Sequence, residues 1–329
     1  MKKLTLLFLL SLISIFSFAQ VIGRAEHKLL TQKEDSLKKY AVKIIESDKS
    51  DERVTADSMF TRILVRALKN NNSFYYPFDS LETVSRLYAP DSSFRIFTWQ
   101  MVVPSLTGNT VRQHGAIQMK TYDGSLKLFG LIDKSDVTTN IADTIGNHRG
   151  WIGAIYYKII VKKSSNQNYY TLLGFDENSI SSSRKIIEVL SFANDEPVFG
   201  GRYFSYEDDS VFKSAQSRYV MEFKKDAGPR LTYDKDMDMI IVEHLISESN
   251  EPKKKWTLVG DGDYEGFKWK NGKWVHVEKV FNVVTPDGQA PVPSPLRDPA
   301  GNLDEKKLKG NEEEEVKPAP AVKPKKGKG

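Results

Sequence analysis

The chain has 329 residues, with 48 Lys and Arg against 43 Asp and Glu, a net charge of +5, and no Cys. Apolar residues make up 40% and aromatics 11%, which fits a globular protein and excludes a collagen-like or wholly disordered one. Without Cys there is no disulfide, no thiolate nucleophile, no Cys-ligated zinc or iron–sulfur site, and no acylated lipoprotein Cys.

Residues 1–19 read as a secretory signal peptide. Lys2 and Lys3 precede an apolar run to Phe18, and the small residues Ser17 and Ala19 stand at −3 and −1 of a cut after Ala19. The run is short for a membrane span, and no later run is long enough, so no transmembrane segment is expected in the mature chain. The expected location is periplasmic or extracellular. So small a charge surplus also argues against nucleic acid as a partner, which needs a concentrated basic face.

Residues 20–91 read as an N-terminal helical segment. Leu30, Leu37, Tyr40, Ala41, Ile44 and Ile45 follow helical spacing, and so do Phe60, Ile63, Leu64, Ala67 and Leu68. The charged break between them predicts an αα-hairpin, and Asn70 to Asn72 suit its end. Asp79-Ser-Leu-Glu82 has the form of a capping box and predicts a short third helix stopped by Pro90.

From residue 92 to 284 the period changes. Runs rich in β-branched and aromatic residues are predicted as strands over 94–103, 116–122, 126–132, 151–162, 169–175, 185–192, 198–206, 218–223, 239–246, 256–260, 264–270 and 273–281. Short connections without long helices predict an antiparallel meander, barrel-like or in two sheets. The fold class is therefore α+β, mainly β. Residues 285–329 hold eight of the chain's 14 Pro and no aromatic residue, and are expected to form a disordered tail rich in Pro, Lys and Glu.

No catalytic motif stands out. There is no His-Glu-x-x-His, no Gly-x-Ser-x-Gly and no P-loop, and the five His are scattered. No catalytic residue and no cofactor is assigned. The sharpest acidic pattern is Asp261-Gly-Asp263-Tyr-Glu265-Gly266, which matches the first half of an EF-hand loop. Asp261, Asp263 and Glu265 are thus candidate metal ligands, although Gly272 stands where the loop's last Glu belongs. Asp234, Asp236 and Asp238 form a second triplet without the required Gly. The competing reading of both is an acidic turn between strands.

Asn271-Gly272 predicts a type I′ hairpin turn, which pairs Trp269 with Trp274 and Phe267 with His276. Trp269 and Trp274 are candidate ligand-binding residues if this aromatic face is exposed, and core residues if it is buried. Five runs carry a resemblance: Tyr75-Tyr-Pro-Phe-Asp-Ser-Leu81, Phe94-Arg-Ile-Phe-Thr-Trp99, Tyr169-Tyr-Thr-Leu-Leu-Gly-Phe-Asp176, Arg184-Lys-Ile-Ile-Glu-Val-Leu190 and the segment 264–274. Together they resemble an uncharacterised family of exported Bacteroidota proteins with no assigned activity. The resemblance spans about residues 74–281; it implies export and transfers no site residues. The function expected is that of a non-enzymatic envelope or secreted binding or structural protein, partnered by a cell-envelope polymer or protein. The alternative is a secreted hydrolase acting on polysaccharide or peptide through a site assembled from loops.

Overall fold

The computed structural model describes residues 22–105, 108–211 and 213–281. The expected signal peptide, 1–19, and the expected tail, 285–329, lie outside them. Helices α1 (Arg24–Glu46) and α2 (Ser50–Leu68) form the expected hairpin. Leu30, Leu37, Ala41 and Ile44 of α1 face Phe60, Leu64, Ala67 and Leu68 of α2, and all are buried. Arg53 ties their turn to the body, donating to the carbonyls of Ser47 at 2.6 Å and Val102 at 2.7 Å. Asn72 takes the left-handed conformation beyond α2, at φ 59°.

The third helix expected to open at the capping box 79–82 and stop at Pro90 is absent. Phe78 has φ 56°, and successive turns close from Leu81 N–H to Phe78 O and from Val84 N–H to Leu81 O. The Leu81 N–H, which the Asp79 cap could have taken, is spent on Phe78 O, and the Ser80 N–H donates to Glu34 of α1 at 2.7 Å. This tertiary acceptor holds the segment in turns that bury Phe78, Leu81 and Val84 under the helices. The β structure then begins at β1 (Ser85–Tyr88), inside the segment expected to be helical.

Fifteen strands among the described residues form three sheets, none closed into a barrel. The first sheet has the order β1, β2 (Phe94–Ser105), β3 (Gly108–Met119), β4 (Lys127–Ile132). The central sheet runs β5 (Gly146–Asn147), β9 (Glu196–Phe199), β8 (Ser182–Ala193), β7 (Gln167–Asp176), β6 (Ile155–Ser164), with β11 (Arg218–Lys224) also paired to β8. The third runs β10 (Phe204–Ser205), β15 (Lys273–Val277), β14 (Leu258–Lys270), β13 (Met239–Ser247), β12 (Leu231–Asp234). Every pairing between these strands is antiparallel except that of β10 with β15.

Alternation along the strands sorts the core into three layers. Phe97, Trp99 and Met101 of β2 face the helices, while Phe94 and Ile96 face the central sheet. On β7 and β8, Leu172 and Ile186 face the first sheet while their neighbours Leu173 and Ile187 face the third. The central sheet is therefore buried on both faces, which accounts for its near-continuous apolar runs. The predicted run 198–206 divides into β9 and β10 because Gly200 and Gly201, at φ 89° and 130°, break the ladder. The runs 256–260 and 264–270 join into the single strand β14.

Arg95 of β2 is buried without a carboxylate. Its Nη1 donates to Tyr76 O at 2.6 Å and its Nη2 to Ser73 O at 2.7 Å, and four aromatic rings surround the guanidinium. Burial pulls its pKa down to about 10.

Candidate functional site

The acidic pattern on β14 is a bulge. Pairing with β13 runs through Glu243–Tyr264 and resumes at Leu245–Gly260, so His244 alone faces Asp261, Gly262 and Asp263. Gly262 takes φ 87° there, a conformation that suits glycine. The Asp261 carboxylate meets His244 Nδ1 at 2.7 Å and accepts the Asp263 N–H at 3.0 Å. Asp263 is exposed, and Glu265 turns instead to His276 and Tyr219. The three carboxylates thus have separate partners, and no group of three His, Cys, Asp or Glu among the described residues is placed to hold a metal. In the second triplet Asp234 and Asp238 stabilise the β12–β13 turn: Asp234 accepts the N–H groups of Asp236 and Met237, and Asp238 accepts from Lys162.

The Asn271-Gly272 hairpin has the expected register, with φ 49° and 81° at its two turn residues. Trp274 is fully buried, and its indole N–H donates to Thr171 Oγ1 of the central sheet at 2.8 Å. Trp269 is half-buried and packs edge-on against Trp274 at 5.3 Å. Between them the two rings seal the core between the central and third sheets, and Trp274 presents no face to a ligand.

His276 is buried between two carboxylates. Its Nδ1 lies 2.8 Å from Asp209 Oδ1 and its Nε2 lies 3.2 Å from Glu265 Oε2. Burial opposes a charged imidazole, but the two carboxylates outweigh it and raise the pKa above 6.5. Burial likewise opposes a charged Glu265, whose carboxyl is nonetheless held below 4.5 by the hydrogen bond to His276. The stabilisation from His276 is therefore full below pH 6.5 and lost as pH rises through its raised pKa; that from Glu265 is full above pH 4.5 and lost as pH falls through its lowered pKa. Urea midpoints measured against pH are expected to show the network's contribution greatest between these values. In His276→Gln the decline on the alkaline side should flatten; a wild-type slope there would show that His276 does not titrate with folding.

A cleft of about 550 Å³ lies where β3 and β4 of the first sheet meet the ends of β7 and β8. Asp133, just after β4, is occupied by internal donors. Its Oδ1 accepts from Ser135 N–H and Gly153 N–H at 2.9 and 3.0 Å and from Ser135 Oγ at 2.5 Å; its Oδ2 accepts from Gln113 N–H at 3.3 Å. Gly153 is needed for this closure, because a Cβ there would collide with Gln113 and with the Asp133 carboxyl. Asp176, at the end of β7, is buried and accepts the Gln113 side-chain amide at 2.9 Å and the Asn178 N–H at 3.0 Å. Burial pushes its carboxyl above the usual range, against the pull of these hydrogen bonds, and nearby Asp133 adds to the push. Arg184 of β8 stands 3.9 Å from Asp176 Oδ2 while its Nε donates to Glu222 at 3.1 Å.

None of these cleft residues stood out in the sequence as site residues. Gln113, Asp133, Asp176 and Arg184 come from four separate strands or strand ends, with no local spacing to betray them. The available signal was a pair of charged residues at the ends of apolar runs, Asp176 closing one and Arg184 opening the next. Compared with known proteins, the chain matches no family model, and no curated protein or solved structure shows detectable similarity to it.

Proposed function

We propose that the chain is an exported, non-enzymatic binding protein of the envelope or the secreted fraction, and that the cleft between Asp133 and Asp176 holds its ligand. The observation that carries this reading is the state of the carboxylates. Asp133 already accepts four hydrogen bonds from its own chain, so it is a fixed polar wall rather than a base free to take a proton. The apolar start of the chain and the family resemblance support export. One observation favours the hydrolase alternative: a carboxyl raised by burial, Asp176, shares the cleft with a second carboxylate.

The two readings separate in one experiment. Purified protein is titrated calorimetrically with chitohexaose, cellohexaose and mixed short peptides, and the same mixtures are kept overnight and analysed for cleavage. The expected result is binding without products, weakened at least about tenfold in Arg184→Ala. Products that vanish in Asp176→Asn would establish the hydrolase instead. Export is tested by sequencing the N-terminus of the protein recovered from the host's periplasm or medium, which is expected to begin at Gln20.

A further inference from the structure

The first sheet has an uncovered edge inside the cleft. Strand β3 pairs with β2 along its whole length, from Gly108 opposite Ser105 to Met119 opposite Phe94, but with β4 only from His114 onward. Among the described residues no strand lies on the other side of β3 over 109–113. The Gln113 N–H points away from β2, since it donates to Asp133. Alternation then directs the N–H and C=O groups of Val111 and Asn109 the same way, and those of Thr110 and Arg112 toward β2. The edge of β4 is protected, because Ile132 N–H donates to His148 O at 2.8 Å and Trp151 N–H to Ile132 O at 3.0 Å. The stretch of β3 that faces the cleft is left open.

One atom of a buried amide beside the same cleft lacks a partner. Gln113 is 4% exposed, and its Nε2 donates to Asp176 at 2.9 Å and Gln100 at 3.2 Å, which fixes the orientation of the group. Its Oε1 is then left as an acceptor with no donor. A buried acceptor of this kind is costly to leave empty, and this one is enclosed rather than open to the cleft.

We infer that the open edge of β3 at Asn109 and Val111, walled by Asp176 and Arg184, takes an extended peptide as an added strand. Such a peptide offers alternating N–H and C=O groups to β3. A saccharide fits less well, because no Phe, Tyr or Trp among the described residues lines the cleft to stack on a sugar face. Five residues of β3 at about 3.4 Å each give about 17 Å of edge, enough for a segment of four or five residues. The Asp133 carboxylate closes the ladder at Gln113, and Ile180, 60% exposed, stands at the opposite end beside Gly108. This inference rests on the binding-protein reading and names the class of its ligand.

The probe is a fluorescein-labelled library of N-acetylated octapeptides with alternating β-branched residues, with chitohexaose and cellohexaose as the saccharide arm. Binding is expected for a subset of the peptides. N-methylation of that peptide's alternate amides should abolish binding, while methylation of the intervening amides leaves it unchanged. Val111→Pro removes an outward N–H that the fold does not use, so binding should weaken at least about tenfold with an unchanged thermal melt. If Val111→Pro does not fold, the N-methyl series on the wild-type chain decides alone. Peptide binding that ignores both changes, or saccharide binding lost in Arg184→Ala with no peptide binding, overturns strand addition and leaves the binding-protein reading in place. A concentration-dependent dimer abolished by Val111→Pro would assign the edge to a second copy and equally overturn a peptide ligand. Binding of neither probe class, in a monomeric protein, overturns both readings.

Discussion

Arg218→Met is expected to remove about 3–5 kcal/mol of stability, read from the shift of the urea midpoint at an unchanged slope. Arg218 and Glu188 are both fully buried in the central sheet, and the Glu188 carboxylate accepts from Arg218 Nε at 2.8 Å, with Nη2 at 2.7 Å. Tyr156 donates to the other carboxylate oxygen and receives the Trp151 indole N–H at 2.7 Å. On the far side Arg218 donates to the carbonyls of Ile141 and Thr144. Removing the guanidinium leaves a carboxylate in the core with no counter-charge, and two loop carbonyls lose a donor. The double variant Arg218→Met with Glu188→Leu should lose less than the single one, because no stranded charge remains. A double variant weaker than Arg218→Met would show that the network's geometry, rather than its charge balance, holds this part of the sheet.

Trp274→Ala should cost about 3–5 kcal/mol, the usual range for emptying a large buried aromatic site. The ring is fully buried between two sheets, and its loss also strips Thr171 of its donor. Trp274→Phe should fall well short of that loss, since it keeps most of the packing and gives up the hydrogen bond. Trp269, half-buried on the same hairpin, should be the more tolerant position. Denaturant melts of Trp274→Ala that overlay the wild type would contradict the burial seen here and return the hairpin to the status of a binding surface.

The parts of the fold that could be read in advance are those where one short stretch determines its own geometry. Asn271-Gly272 sets a turn and through it the register of Trp269 and Trp274, because few residues accept the required φ. The helical hairpin was legible for a similar reason, its stripe repeating over several turns. At 79–82 local preference lost to tertiary contacts: Glu34 of α1 holds the Ser80 N–H, and the chain is drawn into turns that bury Phe78, Leu81 and Val84. The polar first half of β3, with Arg112, Gln113 and His114, gave no strand signal, since its packing partners are not its sequence neighbours. The cleft was unreadable for the same reason: Gln113, Asp133 and Asp176 share hydrogen bonds only after three strands have been brought together.

The double burial of the central sheet also orders how the molecule comes apart. The helices α1 and α2 pack on the first sheet and the turns over 78–84, outside the two cores that flank the central sheet, so they can detach while those cores remain closed. Amide protons of α1 and α2 should therefore exchange with solvent through a cheap partial opening, whereas those at Leu172, Leu173, Ile186 and Ile187 wait for the whole body to open. The chain thus carries its least exchangeable protons in the middle of its sequence and a separable cover at its start.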